Sequence, residues 1–163
     1  MHNYKISIAA LAICLLTFLS CKKSAENNPN PVADNTWTLD GKTYTVGSSS
    51  HYSLVPQKKG ILFKDGKEGS KAALFIMFKE YPTTAGKYKF ARENSEAPAA
   101  DECYIDAFDE SGRGYYDAYH DKDYFIDVTI QKDGKIAISV PQILVAPPSP
   151  SLSVTLKASV YEK

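Results

Sequence analysis

The chain has 163 residues, 12% of them aromatic, and its 19 lysines and arginines balance 19 aspartates and glutamates. Setting aside residues 1–20 removes only Lys5, which leaves 18 basic side chains against 19 acidic ones. That balance argues against a nucleic-acid partner, because neutralising a phosphate backbone takes a basic patch or stripe.

Residues 1–5 hold a single lysine, and residues 6–19, ISIAALAICLLTFL, form a predominantly apolar run. A membrane helix needs about 20 such residues, so this run has instead the length of a signal-peptide apolar core. An ordinary secretory cut after Ser20 would need a small residue three positions before it, where bulky Phe18 stands. Phe18-Leu19-Ser20-Cys21 instead resembles a lipobox, although the commonest pattern has Leu in place of Phe18 and Ala or Gly in place of Ser20. The resemblance implies cleavage before Cys21 and a thioether-linked lipid on its sulfur. The next residues, 22–34 (KKSAENNPNPVAD), have no apolar period and two prolines, a composition that reads as a flexible tether.

A signal ending in SCKK, an Asn/Pro tether and a domain opening on WTLDGKTY together resemble the small lipoproteins common in Bacteroidota. The layout matches over the whole chain, but the lipobox is its only specific motif, so location is implied far more than activity. Lys22 stands where Asp would retain a lipoprotein in the inner membrane, which favours the outer membrane. Glu26 alone is a weak acidic cluster, which favours the periplasmic face over the cell surface. The expected organisation is a signal peptide over 1–20, a lipidated cysteine and tether over 21–34, and one domain over 35–163. Cys14 leaves with the signal and Cys21 carries lipid, so Cys103 has no cysteine to pair with.

Beyond the tether the period is two, the signature of strands. Residues 36–46, TWTLDGKTYTV, predict a hairpin with a two-residue Asp40-Gly41 turn of type I′ that sets Trp37 opposite Tyr44. Residues 72–78, AALFIMF, are apolar on both faces and predict a central strand covered on both sides. Tyr88 and Phe90 alternate after the turn at 82–86.

Over 124–140 a two-residue turn would put the two apolar sets on opposite faces. A three-residue turn, Lys132-Asp133-Gly134, pairs Ile130 with Ile136 and Val128 with Ile138, with Gly134 left-handed. Leu152, Val154, Leu156, Ala158 and Val160 alternate through a terminal strand, after a Pro-rich link at 146–150 that excludes regular pairing. About eight short strands separated by Gly and Pro signals predict an all-β fold, an antiparallel sandwich or barrel.

Sequence motifs for chemistry are mostly absent. There is no HExxH, CxxC, GxSxG, Walker loop or GxGxxG, and the mature chain keeps only His51 and His120. No cofactor and no catalytic residue is assigned; Ser49 and His51 could join an aspartate on paper, but serines are common in β-loops. Cys103, with no basic neighbour in sequence, and Trp37, alternating with Leu39, read as core residues.

The densest stretch is 114–124, GYYDAYHDKDY. Asp117, His120, Asp121 and Asp123 are potential ligands, with Asp106, Asp109 and Glu110 near in sequence, but the glycine and closing glutamate of an EF-hand loop are missing, so no metal is assigned. Tyr104, Tyr115, Tyr116, Tyr119 and Tyr124 gather half of the mature domain's tyrosines. Aromatic rings beside carboxylates suit a sugar or an apolar partner surface, whereas tyrosine is equally a favoured strand residue and aspartate a turn former. Tyr115, Tyr116, Asp117, Tyr119, His120 and Asp121 are the candidate ligand-binding residues.

Two function classes follow. One is a lipid-anchored binding or structural module that holds a glycan or an envelope protein, its membrane contact made through the lipid on Cys21. The other is a small hydrolase pairing Asp109 or Glu110 with Asp117 or Asp121, which needs carboxyls about 5 Å apart to retain configuration or about 6.5–9.5 Å to invert it.

Overall fold

The computed structural model describes residues 34–55, 57–92, 96–117, 123–147 and 153–163. The chain divides into two units, Met1–Val32 and Ala33–Lys163. The apolar run, the lipobox, Cys21 and the tether through residue 33 lie outside the described residues, as do Tyr119, His120, Asp121 and Leu152.

Among the described residues there are ten strands and no helix. They are β1 (Thr36–Leu39), β2 (Lys42–Val55), β3 (Lys58–Asp65), β4 (Ala73–Phe78), β5 (Gly86–Phe90), β6 (Glu102–Phe108), β7 (Gly114–Asp117), β8 (Tyr124–Ile130), β9 (Ile136–Ala146) and β10 (Val154–Tyr161). Nine of them close into a barrel in the order β1-β2-β3-β4-β6-β5-β8-β9-β10, with β10 returning to β1. The extra strand, β7, bridges the ends of β6 and β9. The expected all-β fold is therefore a closed barrel rather than a sandwich.

Both predicted turns follow from their registers. Trp37 pairs with Tyr44, and their rings stack with centroids 5.2 Å apart. Asp40 and Gly41 both have positive φ, at 50° and 75°, as a type I′ turn requires. Ile130 pairs with Ile136 and Val128 with Ile138, and Gly134 has a φ of 82°.

Alternation along these strands sends one set of side chains inward. Trp37, Phe63, Phe78, Phe90, Ile105, Ile126 and Ile138 are fully buried, so the interior is packed with side chains. Cys103 is buried in the same cluster. On β4, Leu74, Ile76 and Phe78 face this core, while Met77 is buried on the outer face and Phe75 is only half buried.

One neighbour pair differs from the antiparallel expectation: β5 and β6 run parallel. A parallel pair needs a crossover, and its described part reaches the outer face of β6 at Glu96. There the Tyr104 hydroxyl donates to the Glu96 carbonyl at 3.4 Å. This cover explains how Tyr104, which alternates with core residues, is itself buried.

The barrel has two ends. At the entry end the chain arrives at Asn35 and leaves at Lys163. Asn35 ties the two together: its carbonyl accepts from Val46 N–H at 2.9 Å, and its side-chain oxygen accepts from Tyr161 N–H at 3.0 Å. Glu162 closes this end, one carboxylate oxygen accepting from Ile136 N–H at 2.7 Å and the other meeting His51 Nε2. The opposite, rim end carries the Asp40-Gly41 turn and the loops following β3 and β6.

Candidate functional site

The rim end holds the chemistry, because polar groups from three hairpins converge there over a filled core. The hairpin of β6 and β7 is made by the same device as that of β8 and β9. Asp109 N–H donates to the Arg113 carbonyl at 3.1 Å, Gly112 N–H donates back to the Asp109 carbonyl at 2.9 Å, and Gly112 has a φ of 86°. A three-residue loop with glycine last fixes the register Ala107 to Tyr115 and turns the Tyr115 side chain inward.

Asp109 is the hub of that loop. Its Oδ1 accepts from Ser111 N–H at 2.9 Å, Ser111 Oγ at 2.6 Å and Arg113 N–H at 3.0 Å, and its Oδ2 accepts from the Tyr115 hydroxyl at 3.3 Å. Burial pushes its pKa up, but the donors from Ser111, Arg113 and Tyr115 outweigh burial and hold it below the usual carboxylate value. Glu110 is lowered too, chiefly by its hydrogen bond and charge pairing with Lys42, whose own pKa that bond raises. Lys67 approaches the same carboxylate at 3.9 Å. Burial raises the Tyr44 and Tyr115 hydroxyls, which keeps both phenols neutral.

These groups line a pocket of about 300 Å³ formed by Leu39, Asp40, Lys42, Tyr44, Asp109, Glu110, Ser111 and Tyr115. Beside it a cleft of about 530 Å³ shares Lys42, Tyr44 and Glu110 and continues along β2 past Gly47 to Gly66 and Lys67. Along it β2 and the loop after β3 meet at glycines: a Cβ on Gly47 would stand 2.3 Å from Gly66 Cα.

The tyrosine-rich stretch is divided between faces. Tyr115 is buried under the pocket, whereas Tyr116 points outward and meets Phe108 edge-on at 6.4 Å. Tyr104 lies under Lys58 on the outer face, and Tyr124 packs against the core. Asp123 pairs with Lys89 at 2.9 Å. Asp117 pairs its backbone with Val145, and Tyr119, His120 and Asp121 lie outside the described residues. Of the candidate residues, Tyr115 alone is brought to the pocket among those described. Among the described residues no three histidine, cysteine, aspartate or glutamate side chains converge as a metal set.

Ser49 and His51 sit side by side on β2 without bonding to each other. Ser49 Oγ accepts from Lys163 N–H at 2.8 Å, while His51 stacks on Tyr81 at 4.3 Å and faces Glu162. Asp40, Lys42 and Tyr44 are pocket residues that the sequence reading assigned to a turn and strands, and Ser111 is one it did not single out. The signal available for the loop was Ser111-Gly112, which matches Asp133-Gly134 in position and role.

The fold and rim define a class, a small closed β-barrel with a packed interior and a charged rim. No family model matches the chain, and no curated protein or solved structure does either.

Proposed function

We propose that the chain is a lipid-anchored protein of the cell envelope, held at the outer membrane on its periplasmic face, whose barrel is a binding module. Its ligand is a glycan or a segment of an envelope protein received at the rim pocket. One observation carries this reading: neutral phenols, a lysine and ionised carboxylates converge on a concave rim above a core with no lumen. Neutral hydroxyls and fixed carboxylates hold hydroxyl-bearing ligands by orientation, and Leu39 supplies an apolar floor.

Hydrolysis is less well supported, because a glycosidase needs one carboxyl kept protonated as the acid. Asp109 and Glu110 are both lowered, and each is held by named donors. Thermal unfolding of the intact chain against envelope and dietary glycans tests the reading. A ligand at 100 times its dissociation constant adds about 2.7 kcal/mol, a shift of several degrees. Glu110→Gln and Lys42→Ala are expected to abolish that shift. A shift that survives both variants and disappears in Tyr116→Ala places recognition on the outer face instead.

A further inference from the structure

β2 is paired in two steps. Its first half lies against β1, with Trp37 opposite Tyr44 and Thr38 opposite Thr43, and its second half against β3, where pairing starts at Val46 opposite Asp65. Pairs along an antiparallel ladder alternate between those that exchange backbone bonds and those that turn their groups outward. Val46 N–H donates to the Asn35 carbonyl at 2.9 Å, so Tyr44 and Lys42, at two-residue steps from it, also bond toward β1. Thr43 and Thr45 then aim their N–H and C=O the other way. The Thr45 carbonyl shows that direction, accepting from Gly66 N–H at 2.8 Å.

Beyond Gly66 the chain leaves β2. It crosses to the β6–β7 hairpin, where Lys71 N–H donates to the Glu110 carbonyl at 3.2 Å. Thr43 N–H and C=O and Thr45 N–H are thereby left facing the cleft of about 530 Å³, whose wall includes Thr43, Thr45, Asp65, Lys67 and Glu110. Among the described residues no backbone group pairs with these three. Both threonines are exposed. The cleft is thus walled on one side by a short open strand edge, in the place β3 would fill had it run on.

We infer that this edge receives an extended, acidic segment of a protein, which adds to β2 as a strand along Thr43 and Thr45. This rests on the binding-module reading above and selects its protein ligand over its glycan.

Spacing favours a peptide. Groups on one edge of a strand recur every second residue, about 6.6 Å apart, and an extended peptide offers N–H and C=O at the same interval. Sugar hydroxyls can meet one such group but carry no ladder to match. Charge favours the acidic class. Lys42 and Lys67 share the single carboxylate of Glu110, Lys67 from 3.9 Å and 72% exposed. Lys163 lines the same cleft, with Asp65 as the other acid, so three lysines face two acids and leave a positive wall for a ligand carboxylate. The Lys42–Glu110 pair is half exposed on both sides, so solvent already weakens it and it can yield to an entering chain.

The test uses the intact chain and a phage-displayed library of random linear peptides, with the glycan panel above run beside it. The expected result is enrichment of sequences that alternate β-branched and acidic residues. In amide hydrogen exchange, the strongest synthetic peptide is expected to slow Thr43 and Thr45 about tenfold or more and to leave Tyr44, already bonded to β1, as it was. Thr43→Pro removes the N–H at an edge position that proline tolerates, and is expected to weaken the peptide about tenfold with the far-UV circular dichroism unchanged. The exchange readout needs no variant, so it stands even where Thr43→Pro fails to fold.

A peptide that binds without slowing Thr43 overturns strand addition and leaves the binding module standing. So does a glycan that binds where no peptide does, and enrichment of basic peptides overturns the acidic class. A Thr43 amide that is slow at high concentration without peptide and quickens on dilution assigns the edge to a second copy, which overturns the inference as well. Absence of any binder, peptide or glycan, overturns it together with the module.

Discussion

Asp109 decides the shape of the rim, because one carboxylate gathers four donors across the loop from Ser111 to Tyr115. Hydrogen bonds to a charged group contribute about 1.5–3 kcal/mol each when removal strands a partner. Here the donors border solvent, so Asp109→Ala is expected to cost about 2 kcal/mol in all, read as a drop of several degrees in the thermal midpoint. The pH dependence has a definite sign. A carboxyl depressed by folding contributes stability above its unfolded pKa of about 3.9, and that stability is lost as pH falls through the folded value. Denaturant midpoints measured between pH 6 and pH 2.5 should therefore fall in the acid range, and fall less steeply in Asp109→Asn. At Cys103 burial pushes the thiol well above its ordinary value. A thiol reagent at pH 8 should leave Cys103 unmodified in the native chain and react once denaturant unfolds it; fast native labelling would mean that the core between β4 and β6 opens.

Strands were legible in the sequence wherever one face is core and the turn chemistry is short-range. Trp37 opposite Tyr44 and Ile130 opposite Ile136 follow from period two and one glycine each, because a one-residue slip would expose a whole apolar set. β2 was legible only to Val46. Past that point GSSSHYS has no apolar alternation, since its inward residues Ser49 and His51 meet Lys163 and Glu162 at the barrel mouth instead of the core.

The parallel β5–β6 pair was hidden for another reason: the sequence between the two strands has no helical period to announce a crossover. At the site, the reading reached Tyr115 and missed Lys42 and Tyr44, whose role arises only when two hairpins distant in sequence share one mouth. The element-scale prediction falls on the glycine that lets β2 change register. Gly47→Ala would put a Cβ 2.3 Å from the backbone of Gly66, and backbone on both sides leaves little room to yield. The expected cost is about 2 kcal/mol or more, accompanied by a changed rim cleft. A Gly47→Ala chain with an unaltered midpoint would mean that β2 and the loop after β3 separate freely.

Closure of the barrel is a whole-molecule property, because β10 supplies the seam: it pairs with β1 on one side and β9 on the other. Every described strand then has two neighbours over part of its length, so among the described residues the sheet edges left are overhangs such as the outer half of β2. The seam also brings the domain's own ends together. Asn35 holds Tyr161 by a side-chain bond, and Lys163 follows two residues later beside Ser49. Joining Lys163 to Asp34 through about four flexible residues therefore needs no strand to move, since such a linker spans about 13 Å.

The new termini belong in the turn after β3. Gly69 there is exposed, has a φ of 74°, and has nothing within 4 Å of where a Cβ would be. Opening the turn sacrifices the Ser70 N–H bond to the Lys67 carbonyl at 3.1 Å and little else. A permutant starting at Gly69 and ending at Glu68 is expected to keep the native far-UV circular dichroism and to unfold within several degrees of the parent. Its folding rate should change more than its stability, because permutation shortens the loop that closes β1 on β10 and lengthens the one that pairs β3 with β4. A permutant that fails to fold would locate the nucleus in the β3–β4 hairpin, whereas one that folds faster would place the rate-limiting event at the β1–β10 seam.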